Sequence, residues 1–496
     1  MSYIWLRKEM KSSLVANHVA TYHGEAVAVA QIAGKGRVLL ANVDFEPGER
    51  ILLEYPLIEV VADDSIPAFQ VLQRLEQDGQ LEFSLIFYWA ALSSLTQPED
   101  KSSRIGRMVA AALVPPWRAV PKETQVQALE LHTPELTGPS PSVLKILEAL
   151  WGYAAEAPAA LLVEQLLQVW IYNSFDLSED GKEAGVIFLA SAMMSHSCAP
   201  NAAWHLDENN SYILHARSPI EQEQEITISY LSPDELMLPS SLRRQLLEST
   251  KGFRCSCSRC LEPLDVARAF LCTCGAEALA HAEPGLQATS PVPWDTGFAN
   301  CGVLTRGELP DGQWEELVCN SCGPRSDLAR GLALEARLLP WARSFPDFST
   351  LAKVRETAVS ADLEVPSKLL FQAESLLGDR HWILDALRHA VATAEPQRAV
   401  ELLSQRLEVH QEDYCMTLRA RLHVSLGKAL FSEGRFPAAE ASYREAAELL
   451  ALLFGDDHPE HLEAASLKQA AEQKQADVRK PDAKMPTPNR TAKKRR

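Results

Sequence analysis

Three cysteines within six residues, in "CSCSRC" from Cys255 through Cys257 to Cys260, constrain this chain more than any other stretch. At this spacing one loop can wrap three corners of a tetrahedral zinc site, with Zn–S bonds near ~2.3 Å. Buried free thiols are the ordinary alternative, and three ligands at C-x-C-x-x-C spacing disfavour it. A fourth ligand has to come from elsewhere. Only Cys198 precedes the cluster; the other nine of the ten cysteines begin at Cys255. It sits in "MMSHSCAPN", Met193 to Asn201, a knot-like polar stretch rather than a helix face. With Cys198 as fourth ligand, zinc ties the segment after Lys251 back onto "SHSC". Such a four-thiolate site is structural and closed to water.

A second set is available in "CTCG", with Cys272 and Cys274, and "CNSC", with Cys319 and Cys322. Its halves stand 45 residues apart, farther than in an ordinary zinc ribbon. Cys301 and Cys415 remain, and Cys415, on an amphipathic pattern, reads as a small core residue. Metal is preferred to disulfides because "MSYIWLRKEMKSS" has neither an apolar h-region nor a small-residue cleavage site, which fits a reducing setting.

The 496 residues suffice for about two to four domains. With 46% hydrophobic and 23% charged residues the composition is that of a soluble globular protein. No apolar run approaches the ~20 residues that span a bilayer, so no membrane partner is expected. A net charge of −18 argues against direct nucleic-acid binding. The same acidity suits basic partners such as lysine-rich tails, or serves solubility alone.

Short strands broken by turns are expected from Ala26 to Val60, with Gly34, Gly36 and Pro47-Gly48 as punctuation. From Ile66 to about Val169 apolar residues fall at three- and four-residue spacing, so this part is helical, with a Pro-containing, loop-rich span from Thr96 to Ser142. "NSYILHARSPIEQEQEITISYL" alternates as strand–turn–strand. The span Cys255 to Cys322 shows little periodicity and reads as an irregular, metal-stapled region. Beyond Ser326 the chain is helical. There, "LHVSLGKALFSEGRFPAAEASYREAAELLALLFGDDHP" resembles one tetratricopeptide-type helix pair, with Gly427, Phe436, Ala439, Tyr443 and Ala446 in suggestive places. The basic, Pro-containing end "KPDAKMPTPNRTAKKRR" reads as a disordered tail.

Taken in order, "GKGR" with "FEPGERILLEYPL", then "YNSFDL", then "SHSCAPN" with "ITISY", then "CSCSRC", resemble a SET-domain protein-lysine methyltransferase of the SMYD-like branch. The likeness spans most of Ala26 to Glu262 and weakens through the C-terminal helices. The family's MYND finger is absent, because nothing before Cys198 is a cysteine. The implied fold class is α+β: SET β-sheets with a pseudoknot and helical insertion, a zinc-bound post-SET segment, and a helical, TPR-like C-terminal domain. The divisions are 1–60 and 169–231 for the two SET parts, 61–168 for the insertion, and 232–262 for the post-SET segment. A second cysteine-rich zinc segment occupies 263–325, the helical domain 326–475 and the tail 476–496.

The resemblance implies S-adenosylmethionine as methyl donor, and the cysteine spacing adds two structural Zn²⁺ ions. The resemblance also implies that Lys35, Gly36 and Arg37 line the donor pocket, and that Asn173 lies near the donor. Ser195 and His196 match an Asn-His pair that contacts it, Phe253 closes over its adenine side, and Tyr230 is the catalytic tyrosine. Zinc would be held by Cys198, Cys255, Cys257 and Cys260, and by Cys272, Cys274, Cys319 and Cys322. Three departures stand out. Ser195 replaces an asparagine, losing an amide that both donates and accepts. Lys251 stands where many relatives place a second tyrosine, and Glu223 replaces a turn glycine. Catalysis on an accessible lysine of a histone or non-histone protein is the expected function. A catalytically weak SET scaffold, binding protein partners through its helical half, is the alternative. "KKRR" at Lys493–Arg496 could direct nuclear import, so nucleus and cytoplasm are both expected locations.

Overall fold

The computed structural model describes residues 13–96, 120–152, 159–179, 182–281, 317–325, 328–343 and 365–479. Cys301, residues 97–119 of the Pro-containing span, and residues 480–496 of the expected tail lie outside them. The helix α1 (Leu14–Tyr22) leads into β1 (Val27–Ile32) and β2 (Gly36–Ala41), an antiparallel hairpin with Val27 opposite Ala41 and Ile32 opposite Gly36. Its turn requires the positive φ of Gly34 and Gly36, +78° and +84°.

Two three-stranded antiparallel sheets follow. One has the order β3 (Arg50–Glu54), β9 (Tyr212–Ala216), β8 (Ala202–Leu206); the other β4 (Ile58–Val61), β6 (Lys182–Ile187), β5 (Phe175–Glu179). Aromatic rings join them. Phe175 lies 4.9 Å from Trp204 and 5.1 Å from Tyr212, and Phe188 lies 5.3 Å from Tyr212. Such pairs add about 0.5–1.5 kcal/mol each beyond their buried area.

Between β4 and β5 the described residues form five helices, as the apolar spacing predicts: α2 (Pro67–Gln77), α3 (Leu85–Ser93), α4 (Lys122–Leu129), α5 (Pro141–Trp151) and α6 (Ala160–Asn173). The Ser140 hydroxyl caps α5 by accepting from Val143 N, Pro141 starts its first turn, and Gly152 at φ +59° ends it. α6 runs to Asn173, beyond the expected boundary at 168. It is pinned by the Trp170 indole, which donates to Ser94 Oγ at 2.8 Å.

A short parallel pair links two distant segments: β7 (Ser195–His196) lies beside β10 (Thr227–Ile228), with Thr227 opposite Ser195 and Ile228 opposite His196. The turn ahead of β7 is fixed by the buried Glu54 carboxylate at the end of β3. Its Oε1 accepts from Leu189 N (2.8 Å) and Ala190 N (2.7 Å), and its Oε2 from Ser191 N (2.8 Å) and Ser191 Oγ (2.7 Å). A buried carboxylate without such partners costs many kcal/mol, so this residue holds the approach to β7 rigidly.

After α7 (Ser240–Lys251) and the single turn α8 (Ser258–Leu261), the cysteine-rich region departs from the sequence expectation. Its described residues form a four-stranded antiparallel sheet, in the order β11 (Leu264–Leu271), β12 (Glu277–His281), β13 (Leu317–Cys319), β14 (Gly323–Arg325). Alternation is lost in β11 because its pairing with β12 shifts register between Asp265 and Ala269. Its Arg268 is also buried, in a two-pronged ion pair with Glu335 at 2.9 and 2.7 Å.

Helices α9 (Ala329–Arg343), α10 (Val365–Glu374), α11 (Trp382–Ala394), α12 (Pro396–Val409), α13 (Met416–Ser432), α14 (Phe436–Phe454) and α15 (Pro459–Arg479) complete the chain. From α10 to α15 each packs on the next, so the repeat-like arrangement is longer than the one pair visible in sequence. At the α13–α14 contact a Cβ on Gly427 would stand 2.4 Å from Tyr443 Cε1, which is why that position is glycine. Cys415, expected on a helix, instead ends the 3-10 turn ahead of α13, where it is buried. One core lies within the N-terminal sheets and the helical insertion, and a second unites the cysteine-rich sheet with the C-terminal helices. Among the described residues no helix is long and apolar enough to cross a membrane.

Candidate functional site

The β7–β10 pair brings Tyr230 against His196. The backbone N–H of Tyr230 donates to His196 Nδ1 at 2.9 Å, and the Tyr230 hydroxyl donates to the Met194 carbonyl at 2.5 Å. With Nδ1 accepting, the His196 hydrogen belongs on Nε2, which lies 3.3 Å from Cys198 Sγ. Burial lowers the His196 pKa to about 4, a shift opposed by Cys257 and reinforced by Arg243, so the ring is neutral at physiological pH. Phe253 completes a three-ring cluster. Ring centroids are 5.4 Å apart for His196–Tyr230, 6.1 Å for His196–Phe253 and 6.3 Å, at 90°, for Tyr230–Phe253. The Tyr230 residue is 39% exposed overall. Burial, with the charge of Glu225 second, nonetheless raises its pKa above the ordinary phenol value.

On the hairpin side, Glu225 joins two residues that the sequence assigns separately. Its Oε1 accepts from Ser195 Oγ at 2.5 Å and its Oε2 receives Lys35 Nζ at 2.6 Å. Asn201 fixes the backbone here, donating Nδ2 to Glu225 O at 2.9 Å and accepting from Thr227 N at 2.8 Å. Neither Glu225 nor this role of Asn201 was expected from sequence. Within "EQEQEITISY" the acidic residue reads as an exposed turn, and only the parallel register turns it toward Ser195.

Arg37 and Asn173 have other partners. Arg37 Nη2 donates to the Glu130 carbonyl, and Asn173 Nδ2 donates to the His132 carbonyl and to Val169 O, both at 2.8 Å. Together they clamp the insertion's 130–132 turn. Gly36 lies in the hairpin turn beside Lys35. Lys251 Nζ donates to the Ile171 carbonyl at 3.2 Å, and burial lowers its pKa despite Asp176 nearby. Gly252 follows at φ +71°, where a Cβ would meet Tyr172 Oη at 3.4 Å. The end of α6 therefore abuts the turn that presents Phe253.

The cysteines converge as two sets of four. Sulfurs of Cys198, Cys255, Cys257 and Cys260 all lie within 4.8 Å of one another, and so do those of Cys272, Cys274, Cys319 and Cys322. Cys198 and Cys260 sulfurs are 3.6 Å apart, and Cys274 and Cys319 sulfurs 3.7 Å. The edge of a tetrahedron with ~2.3 Å zinc–sulfur bonds is about 3.8 Å, so both donor sets fit zinc. Cationic donors surround the first set: Arg243 Nη2 lies 3.7 Å from Cys260 Sγ, and Arg244 holds the Cys255 and Cys260 carbonyls at 3.0 and 2.8 Å. In the second set the N–H groups of Ser321 and Cys322 point at Cys319 Sγ, each at 3.4 Å, as suits a thiolate ligand.

A third group of donors, His18, His23 and Glu54, also gathers within 4.8 Å. The four hydrogen bonds already made by Glu54 account for its carboxylate lone pairs, so this group is a poor metal site.

A family model described as SET domain matches residues 36–231. This chain carries a SET domain. The matched span of the SET domain begins at the β1–β2 turn, includes the helical insertion and ends just past Tyr230. Relatives include the SET domain-containing protein SmydA-8, isoform B, of Drosophila melanogaster, 34% identical over 30% of this chain and 30% of that protein. The Protein-lysine N-trimethyltransferase SMYD5 of Danio rerio is 37% identical over 17% of this chain and 21% of its own length. The Histone-lysine N-methyltransferase SET5 of Eremothecium gossypii is 36% identical over 15% of each. This chain thus spans less than a third of the length of each. A structure of Rubisco LSMT bound to AdoMet covers 94% of this chain and 93% of its own at 12% identity, with a TM-score of 0.26, too low to carry weight.

Proposed function

We propose that this chain is an S-adenosylmethionine-dependent protein-lysine N-methyltransferase. The observation that carries the reading is the convergence of three separated segments, bearing His196, Tyr230 and Phe253, with Lys35 and Ser195 joined beside them through Glu225. Two of the matched relatives bear names of lysine methyltransferases. When bound, S-adenosylmethionine supplies a methyl group on a positive sulfur.

The chain's own residues have the remaining work. A free lysine has a pKa of about 10.4 and is almost wholly protonated at neutral pH, so its amine must be desolvated to attack. The apolar faces of Tyr230 and Phe253 suit that task. Aligning the reactants in one channel contributes up to ~7–11 kcal/mol in the best cases. Because Tyr230 stays protonated and donates to Met194 O, it acts by orienting and polarising, with its oxygen free to accept, and not as a base. His196 remains neutral and serves as the brace between β10 and Cys198. Zinc in the two cysteine sets would fix Phe253 and the cysteine-rich sheet without touching the methyl group. The substrate in this reading is a protein that presents an accessible lysine, histone or otherwise, in nucleus or cytoplasm.

Calorimetry with S-adenosylhomocysteine, followed by radiolabelled transfer to histones and cell extract, tests the proposal. Saturable donor binding with label on lysine is expected. A second reading, a catalytically weak scaffold that binds protein partners through its helical half, draws on Lys251, which donates to the Ile171 carbonyl. Absence of donor binding would favour it and sink the enzyme.

A further inference from the structure

The replacement of asparagine by Ser195 leaves a short hydroxyl where an amide is expected to meet the donor. That hydroxyl is already committed, because it donates to Glu225 Oε1 at 2.5 Å. The other carboxylate oxygen takes Lys35 Nζ at 2.6 Å, from the glycine-flanked turn of the β1–β2 hairpin. The Glu225 side chain is 18% exposed against 47% for Lys35, so the anion is the recessed member of the pair. Its backbone cannot drift: Asn201 holds its carbonyl, and it forms a β-bridge with Leu40. Its charge also reaches Tyr230.

These positions place a recessed anion and a more exposed cation side by side, between the hairpin turn and β7. A zwitterionic amino acid presents the complementary pair, an ammonium and a carboxylate on one carbon. We propose that Glu225 binds the α-ammonium of the methyl donor's amino-acid end, with Lys35 turning to its carboxylate. Ser195 then orients Glu225 and does not itself contact the donor. This inference rests on the proposed function and adds to it the residue that recognises the donor's amino group. Opening one ion pair to form two keeps both charges compensated in the bound state.

The test compares two ligands on the full chain by calorimetry: S-adenosylhomocysteine and its analogue lacking the α-amino group. Wild type should prefer the amino-bearing ligand. In Glu225→Gln that ligand should weaken about 10- to 100-fold, as expected for a lost hydrogen bond to a charged group, while the desamino ligand changes less than about threefold. Lys35→Met should weaken both, since both keep the carboxylate. Taking the ratio of the two ligands within one protein cancels any loss of folded fraction. If Glu225→Gln retains the wild-type preference, Glu225 does not read the amino group. If wild type binds neither ligand, the donor site itself is wrong and the inference falls with it.

Discussion

Tyr230 has one hydroxyl hydrogen, and the Met194 carbonyl takes it at 2.5 Å. The phenol oxygen is left to polarise the reacting centre, a role that phenylalanine cannot fill. Tyr230→Phe should therefore lower transfer by about 10²-fold, comparable to removing one preorganised polar group, and shift donor affinity by only a few-fold. An unchanged rate in a single-turnover assay would remove Tyr230 from the mechanism. Glu223 offers a stability test of a different kind. It is exposed and held at φ +67°, a region costing a side-chain-bearing residue about 1–2 kcal/mol. Glycine avoids that cost but loses about 0.5–1 kcal/mol of chain entropy. Glu223→Gly should gain about 0.5–1 kcal/mol, read as a higher urea midpoint, and a lower midpoint would contradict the left-handed turn. The missing glycine was legible in sequence. Glu225, two residues on, was not, because a charge in a polar turn looks solvated until a parallel strand pairing places it against Ser195.

At the scale of elements, each set of four cysteines converges where a bound zinc would act as a staple in place of apolar packing. Seven of the eight converging cysteines leave a C-x-C or C-x-x-C signal in the chain, and Cys198 was grouped with them as the one upstream cysteine. The sheet they staple left none. A register shift, strands of three residues and the buried Arg268–Glu335 pair remove the alternation by which a strand is read. Elemental analysis of the native protein should find two zinc ions per chain, and Cys198→Ser should leave one while loosening the segment that carries Phe253. Zero zinc in the native protein would overturn both sites. In the helical half, Gly427 decides how closely α13 and α14 approach. Alanine gains about 1 kcal/mol in helix propensity, yet its methyl would strike Tyr443 at 2.4 Å. Overpacking costs about 1–3 kcal/mol, so Gly427→Ala should destabilise by up to about 2 kcal/mol net. A combined Gly427→Ala, Tyr443→Leu variant should recover part of the loss if the ring is the cause.

Across the whole molecule, the SET sheets and the helical half meet at a histidine junction. His205 on β8 and His215 on β9 stack at 6.0 Å, and His458, ahead of α15, lies 4.6 Å from His205 beside Phe454. Burial, then the neighbouring His458 and His215, lower the His205 pKa to about 4, while Asp457 and Asp207 oppose the shift. Burial likewise lowers His215, with Arg50 and His458 adding to the effect and Asp457 opposing it; His458 is lowered too, with Glu460 and Asp457 opposing. A histidine depressed in the folded state makes its full contribution above the unfolded pKa near 6.5. As pH falls from there toward 4, the unfolded chain takes up protons that the folded chain refuses, and stability declines. For the partly exposed His205 the loss is on the order of 2 kcal/mol after solvent screening. The buried carboxylates Glu335 and Asp385, both held below their usual range once their arginine partners overcome burial, act at lower pH. Their contribution is lost only as pH drops through the ordinary carboxylate range near 4 and below. The two windows separate in a series of urea midpoints at pH 7, 6, 5 and 4. Wild type should weaken already between pH 6.5 and 5, and His205→Gln, which cannot take up the proton, should fall less steeply there. Parallel curves for the two proteins would mean that this junction does not sense pH, leaving the carboxylates to account for any acid sensitivity.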